Sequence, residues 1–182
     1  SDVQAAVAAG CAGAKLGAVP IQRSKESYDE VRIALDGDAV VFSEESDLIY
    51  KEHGLHAFLA HEVENATKPM SGGPFGEFLK KLSKLRSIYL NVDNISKVRI
   101  AIVTARNAPA HERVVHTLRA WGTPADEAHF VGKWEKAPIL KAFGAHIFFD
   151  DQETHVLGAA PLVPSGHVPG PHAPNAPVLP AG

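Results

Sequence analysis

Three apolar runs in this chain each stop at a small polar or acidic residue, and this pattern constrains the fold more than any total. Arg32–Leu35 runs into Asp36-Gly37-Asp38, Val98–Val103 into Thr104, and Ile147–Phe149 into Asp150-Asp151. Val98–Val103 is almost continuously apolar rather than alternating, which marks a parallel strand buried on both faces. A shorter strand is predicted at Phe130-Val131.

Helical patterns lie between these runs. Leu48, Ile49, Leu55, Phe58 and Leu59 form a stripe over 44–61, broken near Gly54. Phe78, Leu79, Leu82, Leu85 and Ile88 recur at 3–4 spacing after the turn-rich stretch Lys68–Phe78. Helices are also expected over 110–121, closed by Gly122, and over 137–143. Strands alternating with helices predict an α/β fold: a Rossmann-like parallel sheet flanked by helices. An Ala-rich helix is expected over 2–17, capped by Asp2, with a loop over 18–30. From Gly158 the chain turns rich in Pro, Gly and His and reads as an irregular tail.

The chain has 182 residues, enough for one domain with a small insertion. Its net charge of −3 argues against a broad nucleic-acid-binding surface. No apolar run approaches the ~20 residues of a membrane span, and the N-terminal stretch lacks the basic and apolar regions of a signal peptide. The single cysteine, Cys11, rules out a disulfide within the chain and makes a Cys-based zinc site a poor candidate. Together these features predict a cytoplasmic protein.

In an open α/β sheet, ligands bind beyond the carboxyl ends of the strands. Asp36, Asp38, Thr104, Asp150 and Asp151 all fall at or just past such ends. Clustered carboxylates repel one another and need a cation. An all-oxygen ligand set suits a hard ion, most naturally Mg²⁺. This combination fits phosphoryl transfer, which needs a nucleophile, charge neutralisation and a proton shuttle. Asp36 can attack phosphorus as a carboxylate. Asp38 can protonate the leaving oxygen and later accept a proton from water. Thr104 and a lysine can hold the non-bridging oxygens.

The ordered set of DxD, Thr, Lys and DD resembles that of the haloacid dehalogenase-like phosphohydrolases. The longer blocks DGDAVVFSEESDLIYKEHGLHAFLAHE, VTARNAPAHERVVHTLRAWG and KAPILKAFGAHIFFDDQ closely resemble the cytosolic 5'-nucleotidase type I family, including its bacterial members. The resemblance spans residues 32–168 or so. It implies a haloacid dehalogenase-like catalytic domain over 32–157, with a helical cap inserted at about 43–87. It also implies a Mg²⁺-dependent 5'-nucleotidase acting on a nucleoside monophosphate through an aspartyl-phosphate. Asp36 would be the nucleophile, Asp38 the acid/base, Thr104 a phosphate ligand and Lys136 the motif lysine, with Lys133 as the alternative. Asp151 is favoured over Asp150 as the direct metal ligand, beside Asp36 and the Asp38 carbonyl. Arg106, next to Ala105 in the same loop, would contact phosphate or anchor that loop.

Other phosphomonoesters, phosphotransfer to a nucleoside, or nucleotide binding without turnover remain open at this point. Family members commonly carry a long region ahead of the DGD strand. Residues 1–31 look like its end, so the chain is expected to be a piece of a longer protein. It would act as a homo-oligomer or together with that region.

For the nucleobase, the candidates are Phe42 above all, then Phe58, Phe75 and Phe78, with His61, Glu62, Asn65 and Lys68 as polar readers. Gly72 and Gly73 would allow lid motion or close approach to a ligand. Helical spacing equally makes these phenylalanines core, and Trp121 and Trp134 read as packing residues. Other patterns fail as motifs. HERVVH has the wrong spacing for a zinc protease, SGGPFG lacks the Lys of a P-loop, and DGDAVVFSEE lacks EF-hand spacing. His167 and His172, five apart, are a weak metal-site signal.

Overall fold

Alternate residues of the two central strands differ in bulk, and this sets the layering. The computed structural model describes residues 2–17, 29–93 and 95–169. Strand β2 (Val31–Leu35) lies parallel to β3 (Val98–Thr104) with Ala34 opposite Ala101 and Leu35 opposite Ile102. Side chains alternate across a strand. Ile33, Leu35, Ile100 and Ile102 therefore face one side, where they meet Leu79 and Leu82 of α3 (Gly76–Ile88) and Val114 and Leu118 of α4 (His111–Ala120). The small side chains Ala34 and Ala101 face the other side with Val103. There they pack with Leu140 and Phe143 of α5 (Ala137–Phe143) and Ala159 of α6 (Glu153–Ala159).

The sheet is completed by β4 (Glu127–Phe130) beside β3, and by β5 (Ile147–Asp150) beside β2. Beyond β5 come β6 (Ser165–His167), parallel to it, and the two-residue β1 (Lys15–Leu16), antiparallel to β6. The order is β1-β6-β5-β2-β3-β4. The predicted α/β class with a parallel core is what the structure shows.

Two expectations are corrected at the periphery. The first helix, α1, stops at Ala8 (Asp2–Ala8), and residues 15–16 form a strand instead. The stretch after Gly158 is not irregular from its start: β6 pairs with β5, and Val168 is buried, its N–H donating to the Asp150 carbonyl. Tertiary pairing overrides the Pro/Gly composition here. Residues 18–28, most of the expected loop, and 170–182, with His172, lie outside the described residues.

Between β2 and β3 lie a wide turn over Gly37–Val41, then α2 (Glu45–Glu64) and α3. Helix α2 bends at Gly54, whose φ of 80° favours glycine. Its stripe is reversed from the expectation. It buries Ser46 and Glu62, while Leu48 and Leu55 are exposed.

The SGGPFG stretch closes on the wide turn. Gly73 N–H donates to the Val41 carbonyl and Phe75 N–H to the Val40 carbonyl, each at 2.8 Å. A Cβ on Gly73 would collide with the Phe42 carbonyl and lie 2.6 Å from that of Val40. The close approach is thus to the chain's own backbone, not to a ligand, and it pins the loop rather than freeing a lid. Gly73→Ala should cost about 1–3 kcal/mol, as overpacking does. A Tm equal to that of the parent would contradict this packing.

Candidate active site

Four segments converge at the carboxyl edge of β2, β3 and β5. Asp36 follows β2, with its N–H donating to the Phe149 carbonyl at 2.8 Å. Thr104 ends β3 and Asp150 ends β5. Lys136 sits immediately ahead of α5. Gly37 lets the first two loops touch: a Cβ there would lie 3.1 Å from Thr104 Oγ1.

At the centre, Lys136 Nζ lies 2.7 Å from Asp36 Oδ1 and 2.7 Å from Asp150 Oδ2, with all three residues buried. Asp150 is further tied by the Gln152 N–H at 2.8 Å and by His155 Nδ1, 3.2 Å from its Oδ2. One carboxylate oxygen from each of Asp36, Asp150 and Asp151 lies within 4.8 Å of the others.

The electrostatics follow from three carboxylates sharing one ammonium, which leaves two negative charges uncompensated when all are ionised. Burial pushes the Asp36 carboxyl well above its ordinary range. Lys136 opposes this, and Asp150 and Asp151 reinforce it. Burial and the charges of Asp150 and Asp47 push Asp151 up to about 6. Burial also acts against ionised Asp150, but His155 and Lys136 hold it below the usual range. Burial would lower the Lys136 ammonium, yet Asp36 and Asp150 hold it above its ordinary value. These oxygen donors with surplus negative charge could hold one hard divalent cation, and the set fits Mg²⁺.

Asp38 stands on the rim, 22% exposed, with both oxygens taken by Arg106: Nε and Nη2 each donate at 2.7 Å. The third nitrogen of that guanidinium pairs with Glu62 and also donates to the Ala110 carbonyl at 3.2 Å. Arg106 therefore has protein partners on every nitrogen. It carries the turn after β3, with its own N–H 3.4 Å from Thr104 Oγ1.

A cavity of about 390 Å³ opens over these groups. It is lined by Asp36, Asp38, Thr104, Ala105 and Arg106 on the floor and by Tyr50, Leu55 and Phe58 of α2 on one wall. A second hollow, about 320 Å³, lies near Asp29, Glu30, Tyr89, Ile95 and Lys97, ahead of β3, and includes none of Asp36, Asp150 and Asp151.

The structure brings Asp36, Asp38, Thr104, Ala105, Arg106, Lys136, Asp150 and Asp151 into one place. Phe42 is the exception: it is fully buried, bridged to Gly72 and packed 5.6 Å from the Trp121 ring, so it cannot stack on a ligand. Phe75 and Phe78 pack against each other, and Phe58 alone of the four candidates faces the cavity. Glu62 is buried rather than presented as a base reader. Lys133 reaches the cavity rim, whereas Lys136 occupies the centre. Trp134, expected to pack, is 75% exposed. Sequence reasoning missed Asp47, Tyr50, Asn107, Gln152 and His155 as lining residues. Tyr50 lies eight residues before Phe58, but the break at Gly54 between them means that helical spacing alone could not place both at the cavity.

Fold and site together describe an α/β protein with a buried cluster of carboxylates around one lysine at its sheet edge. The sequence matches the 5'-nucleotidase family over residues 1–175. It is 42% identical over 136 residues to human cytosolic 5'-nucleotidase 1B, covering 73% of this chain and 22% of that protein. The chain belongs to the 5'-nucleotidase family. The chain spans about a fifth of the length of that relative. Among solved structures it is similar to a HAD-superfamily hydrolase, subfamily IA, variant 1, from Geobacter sulfurreducens PCA. That match has a TM-score of 0.39 and 17% identity, over 79% of this chain and 89% of that one. Among the described residues, no helix is long and apolar enough to cross a membrane.

Proposed function

We propose that this chain carries the catalytic centre of a Mg²⁺-dependent 5'-nucleotidase, which hydrolyses nucleoside 5'-monophosphates through an aspartyl-phosphate on Asp36. The observation that carries the reading is the buried Lys136 ammonium bridging Asp36 and Asp150, beside Asp151 and under an open cavity. Family membership supports the substrate class.

Asp36 Oδ attacks phosphorus, and the bond to the ester oxygen breaks. One Asp38 oxygen turns from Arg106 to the ester oxygen and gives it a proton, and the nucleoside leaves. Water then attacks the phosphorus, Asp38 takes the proton, and the bond to Asp36 breaks to release phosphate. Thr104 and the Lys136 ammonium hold the phosphoryl oxygens, with Ala105 and Arg106 shaping the loop around them. Asp36, Asp151 and the Asp38 carbonyl would hold the cation, while Asp150, already engaged by Lys136, His155 and the Gln152 N–H, orients the set. When bound, Mg²⁺ supplies charge neutralisation on the phosphoryl oxygens. The apolar wall of Tyr50, Leu55 and Phe58 fits the face of a nucleobase.

The test is phosphate release from a panel of nucleoside 5'- and 3'-monophosphates, with Mg²⁺ and with excess EDTA. Release only from the 5' series, lost in EDTA, is expected. Release from sugar phosphates in preference to nucleotides would overturn the substrate assignment, and release undiminished by EDTA would overturn the metal dependence.

A further inference from the structure

The inserted helix α2 places one carboxylate where it touches neither the cavity nor solvent. Glu62 has a side-chain exposure of 0%, yet it sits between two arginines. Its Oε1 accepts from Ser46 Oγ at 2.7 Å and from Arg113 Nη1 at 3.0 Å, and its Oε2 takes Arg106 Nη1. Arg113 is itself held from other directions: its Nε donates to the Lys68 carbonyl at 3.1 Å, and its Nη1 lies 3.1 Å from His61 Nε2. The other edge of the Arg106 guanidinium grips both oxygens of Asp38. A continuous chain of charged contacts thus runs from α4 through α2 to the loop after β2.

A planar guanidinium pinned on one edge offers the other in a fixed plane and direction. Without Glu62, the Arg106 fork could turn about its long stem, and Asp38 would follow it. A buried carboxylate fully satisfied by hydrogen bonds keeps a single geometry, whereas a half-satisfied one does not.

The geometry points to Glu62 as a positioning residue for the reaction: acting through Arg106, it holds the Asp38 carboxyl at the cavity rim, where one oxygen can turn to the ester oxygen of the substrate. This rests on the nucleotidase reading above. The inserted region would then serve proton transfer as well as substrate enclosure, through a residue that never meets the substrate.

Glu62→Gln keeps the size of the side chain and its acceptor oxygen while removing its charge. The experiment compares kcat/KM for a nucleoside 5'-monophosphate with that for p-nitrophenyl phosphate. An alkoxide leaves poorly and needs the proton from Asp38; p-nitrophenolate leaves without it. General-acid assistance is typically worth about 10²–10⁴-fold. A drop of about tenfold or more is therefore expected for the nucleotide, with less than about threefold for p-nitrophenyl phosphate. Equal losses on both substrates, or no loss on either, would overturn the inference; so would a nucleotide loss confined to KM, because a disturbed wall of Tyr50, Leu55 and Phe58 weakens binding without slowing departure of the leaving group. Ser46→Ala, which removes one hydrogen bond to Glu62 and spares Arg106, should show the same split with smaller amplitude. It decides the matter if Glu62→Gln does not fold. A parent protein inactive on both substrates would overturn the nucleotidase reading and this inference together. An active parent whose variants lack the split would overturn this one alone.

Discussion

An Asp36→Asn protein is expected to lose phosphate release by on the order of 10³-fold or more, because the proposed chemistry leaves no other group to carry the phosphoryl intermediate. The fold should survive the change. An amide oxygen can still accept from the Gly37 N–H, which lies 2.7 Å from Asp36 Oδ1 in the parent. Lys136 keeps Asp150 as its partner. The substitution also removes a carboxylate whose ionised form burial disfavours. A folded-state pKa raised above the unfolded value means that ionisation at neutral pH works against folding. The variant should therefore melt no lower than the parent at pH 7.5. Phosphate release at the parental rate, measured on folded protein, would remove Asp36 from the mechanism. A large fall in Tm would instead show that its main role is structural.

Lys136→Met should combine the largest stability effect with loss of activity. It leaves Asp36 and Asp150 buried without their shared cation. Breaking a buried pair in this way typically costs about 3–5 kcal/mol, because the surviving charge stays unpaired. The sign of the pH dependence follows. Without the ammonium, the Asp36 carboxyl, already raised by burial, loses the charge that opposes that rise, so the variant binds protons more tightly folded than unfolded. Its stability is then retained in acid and lost as pH rises through the folded pKa. The gap between variant and parent should be smaller at pH 5 than at pH 8, as read from denaturant midpoints at the two pH values. A constant gap would mean that Lys136 contributes packing rather than charge. Lys136→Arg should not restore activity, since a planar fork cannot reproduce a compact ammonium 2.7 Å from two different carboxylates.

The wall of the cavity and the carboxylate that pins Arg106 come from the same segment between β2 and β3, with different demands on its residues. Tyr50, Leu55 and Phe58 are open to the cavity, while Glu62, one turn beyond Phe58, is sealed. This explains why α2 inverts the usual pattern of an amphipathic helix. Its exposed apolar residues cover the site, and its buried polar ones hold the loops that form it.

What the sequence determined by itself was local and periodic. Apolar runs without alternation specified buried parallel strands, and the residues that end them had to emerge together at one sheet edge, which placed Asp36, Thr104 and Asp150. The break at Gly54 and the helix over 137–143 were legible for the same reason, since backbone preference and side-chain spacing act within a few residues. What only the tertiary structure decided was which side of each apolar or charged residue would be covered. Phe42 and Phe58 are alike in sequence, yet one is packed beside Trp121 and the other faces the cavity. Glu62 and Arg106 are 44 residues apart, and no spacing announces their contact. The short strand at Ser165–His167 forms within a Pro/Gly-rich stretch because β5 and β1 supply its partners. Burial and pairing are properties of neighbours, and neighbours distant in the chain are chosen by the packing of the whole sheet and its helices.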